Sequence, residues 1–246
     1  MTRIRKELVV SAAIVGLALM APPAIGLATA KGPGSRPAPT CPAFDRAGFH
    51  DPTTIDNRYF PLVPGTRFTY EGTFKKTPVV DVVTVTHNSP TIDGVATIEI
   101  RDQVTEGGVF TEDTLDWYAQ DDAGNVWYFG ELSTELPSGD QTGSWTAGVD
   151  GAQPGIIMEA ARTVGDLYCQ ENAPGVAQDA AQVLSVTATR SVPYGSFTNV
   201  LQTKDYSLLE PKNENKFYAP GVGMLEAIST TGPSEDIQLY TIERGV

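Results

Sequence analysis

Carboxylates dominate the residues with chemical potential. Glu112, Asp113, Asp116, Asp121, Asp122, Glu131 and Glu135 fall within one stretch of 24 positions, 112 to 135. Paired carboxylates can hydrolyse glycosides, one as acid and one as base or nucleophile. The residues flanking Asp116 do not alternate cleanly between apolar and polar, so a solvated acidic face is the plainer reading. Histidine is scarce: His50 and His87 are the only two. A Ser-His-Asp hydrolase would have to use one of them, yet no Gly-x-Ser-x-Gly elbow occurs. A surface or capping role fits both histidines better. Ligand spacing for zinc is missing. Asp121-Asp-Ala-Gly-Asn125 offers oxygens around a glycine, as calcium loops do. The same residues are what a tight hairpin turn needs, and the turn is the reading adopted. No catalytic residue and no cofactor is expected.

Aromatic residues make the more promising set. Trp117, Trp127, Phe129, Trp145 and Tyr218 sit on or beside stretches of β character. If those stretches form a curved sheet, its concave side would be an aromatic-lined cavity for an apolar small molecule or lipid. These five are the expected ligand contacts. Plain core packing remains the competing explanation for each one individually.

The elements that must position them are strands. Phe68 to Phe74 alternates, Val79 to Thr86 is β-branched, and Val95 to Ile100 alternates again. Phe110–Gln120 and Val126–Leu132 flank the Asp121–Asn125 turn and read as a hairpin. Ile237 to Ile242 looks like a closing strand. About ten antiparallel strands are expected, in a strongly curved sheet or barrel.

The chain also echoes itself. Gly65-Thr-Arg-Phe-Thr-Tyr-Glu71 is answered by Gly165-Asp-Leu-Tyr-Cys-Gln-Glu171, and Trp117-Tyr-Ala119 by Phe217-Tyr-Ala219, each 100 residues on. Val82–Thr86 is matched by Leu184–Thr189. Two pseudo-repeats, about 65–136 and 164–226, are therefore expected within a single domain, 41–246. A Gly- and Ser-rich loop, 137–163, separates them. Each repeat alone would have a marginal core.

Residues 1–30 read as a signal peptide: Arg3, Arg5 and Lys6, then an apolar run, then Ala28-Thr-Ala30. Residues 31–40 are a Pro- and Gly-rich lead-in without core residues. The whole chain has 17 basic and 30 acidic residues. Removing 1–30 leaves 17 − 3 = 14 and 30 − 1 = 29, a formal charge of −15. Such a surface repels nucleic acid, and no later stretch is apolar enough to span a membrane as a helix. Export to the cell exterior follows, with the oligomeric state open. In that compartment Cys41 and Cys169 are expected to form a disulfide.

Several phrases carry a resemblance: Thr53–Asn57 with Tyr59–Gly65, Asp113–Glu131, Gly148–Gly155 and Tyr218–Gly223. They resemble a family of exported bacterial β-rich proteins, and the likeness brings no catalytic residue with it. The phrase Tyr218-Ala-Pro-Gly-Val-Gly223 is also similar to one in curved-sheet lipoprotein carriers, which implies an acyl-chain cradle.

Overall fold

The computed structural model describes residues 38–246. The expected signal peptide and most of the expected lead-in lie outside the described residues. Within them the chain is almost entirely β. Sixteen strands run in order: β1 Thr66–Phe74, β2 Thr77–Val85, β3 Thr91–Ile92, β4 Val95–Ala96, β5 Ile98–Glu106, β6 Val109–Gln120, β7 Val126–Glu135, β8 Trp145–Thr146, β9 Gln153–Met158, β10 Leu167–Cys169, β11 Glu171–Asn172, β12 Asp179–Val192, β13 Gly195–Ser207, β14 Asn213–Ala219, β15 Gly223–Thr231 and β16 Glu235–Arg244. One 3₁₀ turn, Arg46–Gly48, is the sole helical element described. The count exceeds the expected ten because several strands are two or three residues long. Two further strands, the two-residue β8 and the six-residue β9, lie in the stretch expected to be a loop.

Fourteen strands form one antiparallel sheet in the order β10-β12-β13-β14-β15-β16-β1-β2-β5-β6-β7-β9-β11, with β8 also pairing β7. The two ends of that order are β10 and β11, neighbours in the chain on either side of Gln170. Residues 167–172 thus face β12 with one half and β9 with the other. The sheet is a nearly closed barrel, which removes most of the exposed edge an open sheet would carry. Gly155 allows this approach, since a Cβ there would collide with the Gln170 carbonyl.

The echoed segments occupy matching runs. The order β1-β2-β5-β6-β7 in the first half recurs as β10-β12-β13-β14-β15 in the second. Tyr118 and Tyr218, 100 residues apart, are both buried near the ends of β6 and β14.

Alternation along the strands divides the interior into two zones. One is apolar: Phe68, Tyr70, Val83, Val85, Ile98, Ile100, Tyr118, Leu201, Tyr218 and Leu239 are all buried. The irregular segment 41–64 packs against the barrel through Ile55, Tyr59 and Leu62, and Phe60 meets Tyr118 at 5.4 Å. The other zone is acidic and is described below.

Cys41 and Cys169 are bonded, as expected. Beside them Thr40 bridges Tyr168 in parallel, so the lead-in ends as part of the fold. The disulfide closes a span of 128 residues. In the chain-entropy model that stabilises by about 5 kcal/mol. Replacing both cysteines with alanine should lower the unfolding free energy by several kcal/mol in a denaturant titration. A loss below about 1 kcal/mol would show that segment 41–64 holds its place without the crosslink.

Candidate functional site

The acidic zone begins with strand registers. On β6, Glu112, Thr114 and Asp116 occupy the buried face, while Asp113 and Leu115 take the other. Across the β6–β7 ladder, Thr114 lies opposite Ser133 and Asp116 opposite Glu131. Asp81 on β2 and Asp102 on β5 continue the ring, with Glu235 on β16. In the second half it is completed by Glu171, Asp179, Asp205 and Glu214. These ten carboxylates face one buried cation among the described residues, Lys216. Lys216 Nζ lies 3.1 Å from Glu214 and 3.4 Å from Asp205. The carboxylates near Asp116 are therefore not the solvated acidic face expected from composition. The inward pleat carries them, and the outward residues Leu115 and Trp117 obscured that periodicity.

Their protonation follows from this placement. Burial raises Glu112 to about 8, helped by Asp102 and opposed by hydrogen bonds from Thr114 and Ser133. Asp116 also rises to about 8, through burial and the Asp102 charge, against the Tyr128 hydrogen bond. Asp179 reaches about 7 through burial. Asp81, Glu131 and Glu171 are pushed well up by burial and by neighbouring carboxylates. Asp81 and Asp102 are in side-chain hydrogen-bond contact, an arrangement that needs a proton between them. Glu214 is the exception: burial opposes its ionisation, but Lys216 and Lys212 hold it below the ordinary range.

Tyr128 organises the part of this zone nearest the barrel seam. Its hydroxyl donates to Asp116 Oδ1 at 2.6 Å and lies 3.3 Å from Glu131 Oε2. Its ring stacks on Tyr118 at 4.7 Å and meets Trp145 edge-on at 5.4 Å. On one side of this group is a cavity of about 50 Å³ among Phe60, Tyr70, Ile100, Asp116, Tyr118 and Tyr218. That is room for a few water molecules. On the other side is a pocket of about 370 Å³, lined by Trp117, Glu131, Leu132, Trp145, Val149, Asp150 and the turn Ala173–Val176, among others. This size falls in the range of small-molecule sites.

Two local features build the larger pocket. Gly130, at φ +133°, lets β8 lie directly on β7, because a Cβ there would strike the Trp145 carbonyl. Ser144 then ties the pair: its Oγ donates to the Ser133 carbonyl at 3.1 Å and accepts from the Ser133 amide at 3.0 Å.

The five expected contact residues separate into three places. Trp117 and Trp145 share the 370 Å³ pocket. Tyr218 lines the small cavity. Trp127 and Phe129 lie under Phe44 and Phe49, with ring centroids 5.6–6.0 Å apart. They anchor segment 41–64 and line neither space. Sequence reasoning missed Glu131 as a pocket residue, although Gly130-Glu131 after an aromatic run marked a bulge.

The remaining candidates are occupied by structure. Asp121 accepts from the Asn125 amide, Asn125 Nδ2 and Trp127 Nε1, each at 2.8 Å. Asp122 pairs with His50 at 2.6 Å on the surface. His87 follows β2 and lines neither space. No set of His, Cys, Asp and Glu among the described residues is arranged to hold a metal ion. No family model, curated protein or solved structure matches the chain. The disulfide is compatible with an extracellular location, and no described helix is long and apolar enough to cross a membrane.

A carboxyl whose folded pKa lies above its unfolded value binds its proton more tightly in the folded state. Stability then falls as pH rises between the two values. For Asp179, Asp116 and Glu112 that window runs from about 4 to about 7 or 8. Each contributes on the order of 1.4 kcal/mol per pH unit inside it. Glu214 acts in the opposite sense, losing its contribution as pH falls, but it is one group against several. Thermal unfolding should show Tm dropping from about pH 5 to about pH 8. A Tm that climbs over this interval would mean the ring is ionised in the folded state.

Proposed function

We propose that the chain is an exported, non-catalytic binding protein for a small, largely apolar organic molecule. The observation that carries this reading is the 370 Å³ pocket walled by Trp117, Leu132, Trp145, Val149 and Val176. Large aromatic walls with a few buried polar groups are the usual make-up of a ligand site. The 50 Å³ cavity is too small for an acyl chain, which favours a compact ligand over a lipid. The leader-like residues 1–30 and the disulfide support export. The resemblance of Thr53–Gly65 and Asp113–Glu131 to phrases of exported β-rich proteins points to the same compartment.

A hydrolase built on Asp116 and Glu131 fits less well. Both are 1% exposed and share the Tyr128 hydroxyl. A substrate bond and an attacking water would have to enter between them.

Native mass spectrometry of protein exported by its own host should show excess mass that vanishes on denaturation. Trp145→Ala should lose that mass, whereas Trp127→Phe, away from the pocket, should keep it. Retention of the ligand by folded Trp145→Ala would overturn the site.

A further inference from the structure

The pocket has a chemical bias that its apolar walls do not explain. Glu131 lines it, is 1% exposed, and uses only one oxygen: Oε2 meets Tyr128, while no protein hydrogen bond reaches Oε1. A buried acceptor without a donor is costly, so a ligand that supplies a donor gains strongly there. The second titratable group of the lining is Asp150, another carboxylate, and no lysine or arginine lines the pocket. The charges acting on Glu131 from other strands are also acidic: Asp116 and Glu112 on β6, and Asp179 on β12. Glu171 on β11 and Glu131 act on each other likewise. An anion would find no basic partner in the lining and would make these acids still harder to ionise. A neutral apolar molecule would leave Oε1 as it is. Trp117 and Trp145 are in the lining, and indole rings are the aromatic groups that attract cations best.

We propose that this pocket binds a protonated organic amine. Its N–H donors reach Glu131, and its apolar body lies among Trp117, Trp145 and Leu132. This rests on the small-molecule reading above and specifies the ligand class within it. A donor-bearing primary or secondary ammonium is required; a quaternary one satisfies the rings but not Oε1.

Binding also moves a proton. Burial, then Asp116, Glu112 and Asp179, keep Glu131 protonated well above the ordinary carboxyl range. An ammonium placed beside it favours the carboxylate, so the Glu131 proton leaves to solvent as the amine binds. Affinity therefore rises with pH below the folded pKa, by up to about tenfold per unit.

The test is titration calorimetry on the mature full-length protein with three probes: 2-phenylethylammonium, its neutral counterpart 2-phenylethanol, and the N,N,N-trimethyl form. The primary ammonium should bind at least about tenfold tighter than either of the others. Glu131→Gln should remove that advantage, bringing the ammonium down to within about threefold of phenylethanol on the same variant. Wild-type protein gives a readout that needs no variant: buffers of different ionisation enthalpy should reveal proton release, and affinity should increase from about pH 5 to about pH 7. Equal binding of ammonium and alcohol would overturn the amine assignment and leave the small-molecule pocket standing. So would binding without proton release. Binding of none of the three would also overturn the amine assignment; the small-molecule reading would then stand or fall with the ligand mass lost in Trp145→Ala.

Discussion

The rest of the structure depends on desolvating charge inside a nearly closed barrel. Pairing residues 167–172 with both β9 and β12 surrounds the interior, and the pleat then decides what is inside. In one zone that places ten carboxylates around a single lysine. Removing so many anions from water while ionised would cost far more than a domain of this size can supply. The ring is therefore held largely as neutral acids, with protons shared among hydroxyl and carboxyl oxygens. Thr114, Ser133 and Tyr128 donate to Glu112, Asp116 and Glu131. Lys216 lies against Glu214 and Asp205 and helps hold Glu214 below the ordinary carboxyl range, while burial still raises Asp205.

The internal echo explains how this distribution is divided. Position 118 and position 218 are both tyrosine, but the inward residues before them differ. The first half has Glu112, Thr114 and Asp116, and the second has Glu214 and Lys216, with the half-buried Lys212 just before β14. The second half thus brings the cation, and the first brings acids that answer it only at a distance. An excess of acid gathers where β6 and β7 approach the seam. That location also holds the gap between β8 and the 173–176 turn, where the larger pocket opens.

Much of the architecture was legible from residue patterns. The Asp121–Asn125 hairpin, the β-branched Val79–Thr86 stretch and the two cysteines each carry a local physical signal, and each appears as read. The orientation of Asp116 and Glu131 was not legible. Acidic residues alternating with Leu115 and Trp117 look the same whether the acids face water or the core, because the outward face of β6 also carries large, half-buried apolar residues. The fate of Trp127 and Phe129 was hidden for another reason. A bulge at Trp117/Tyr118 against Tyr128–Gly130 changes which side the next residues take, and Phe44 and Phe49 arrive from 78 to 85 positions away in sequence to cover them. Long-range cover of this kind leaves no periodic trace.

A buried ring of acids is a poor way to stabilise a barrel, since apolar residues of similar volume in such a place are often neutral or better. What the ring provides is an interior whose charge responds to whatever stands next to it. The Asp116–Tyr128–Glu131 group joins the small cavity to the larger pocket through one hydroxyl, so a change in charge at Glu131 is felt at Asp116. A neutral ligand in the pocket would leave this group unaltered. A positively charged one would lower the cost of ionising it, and the ring would then contribute to affinity what it withholds from stability. Fold and site are linked by the same term: the desolvation that favours protons in the empty barrel is the energy that a cation, by replacing a proton, recovers.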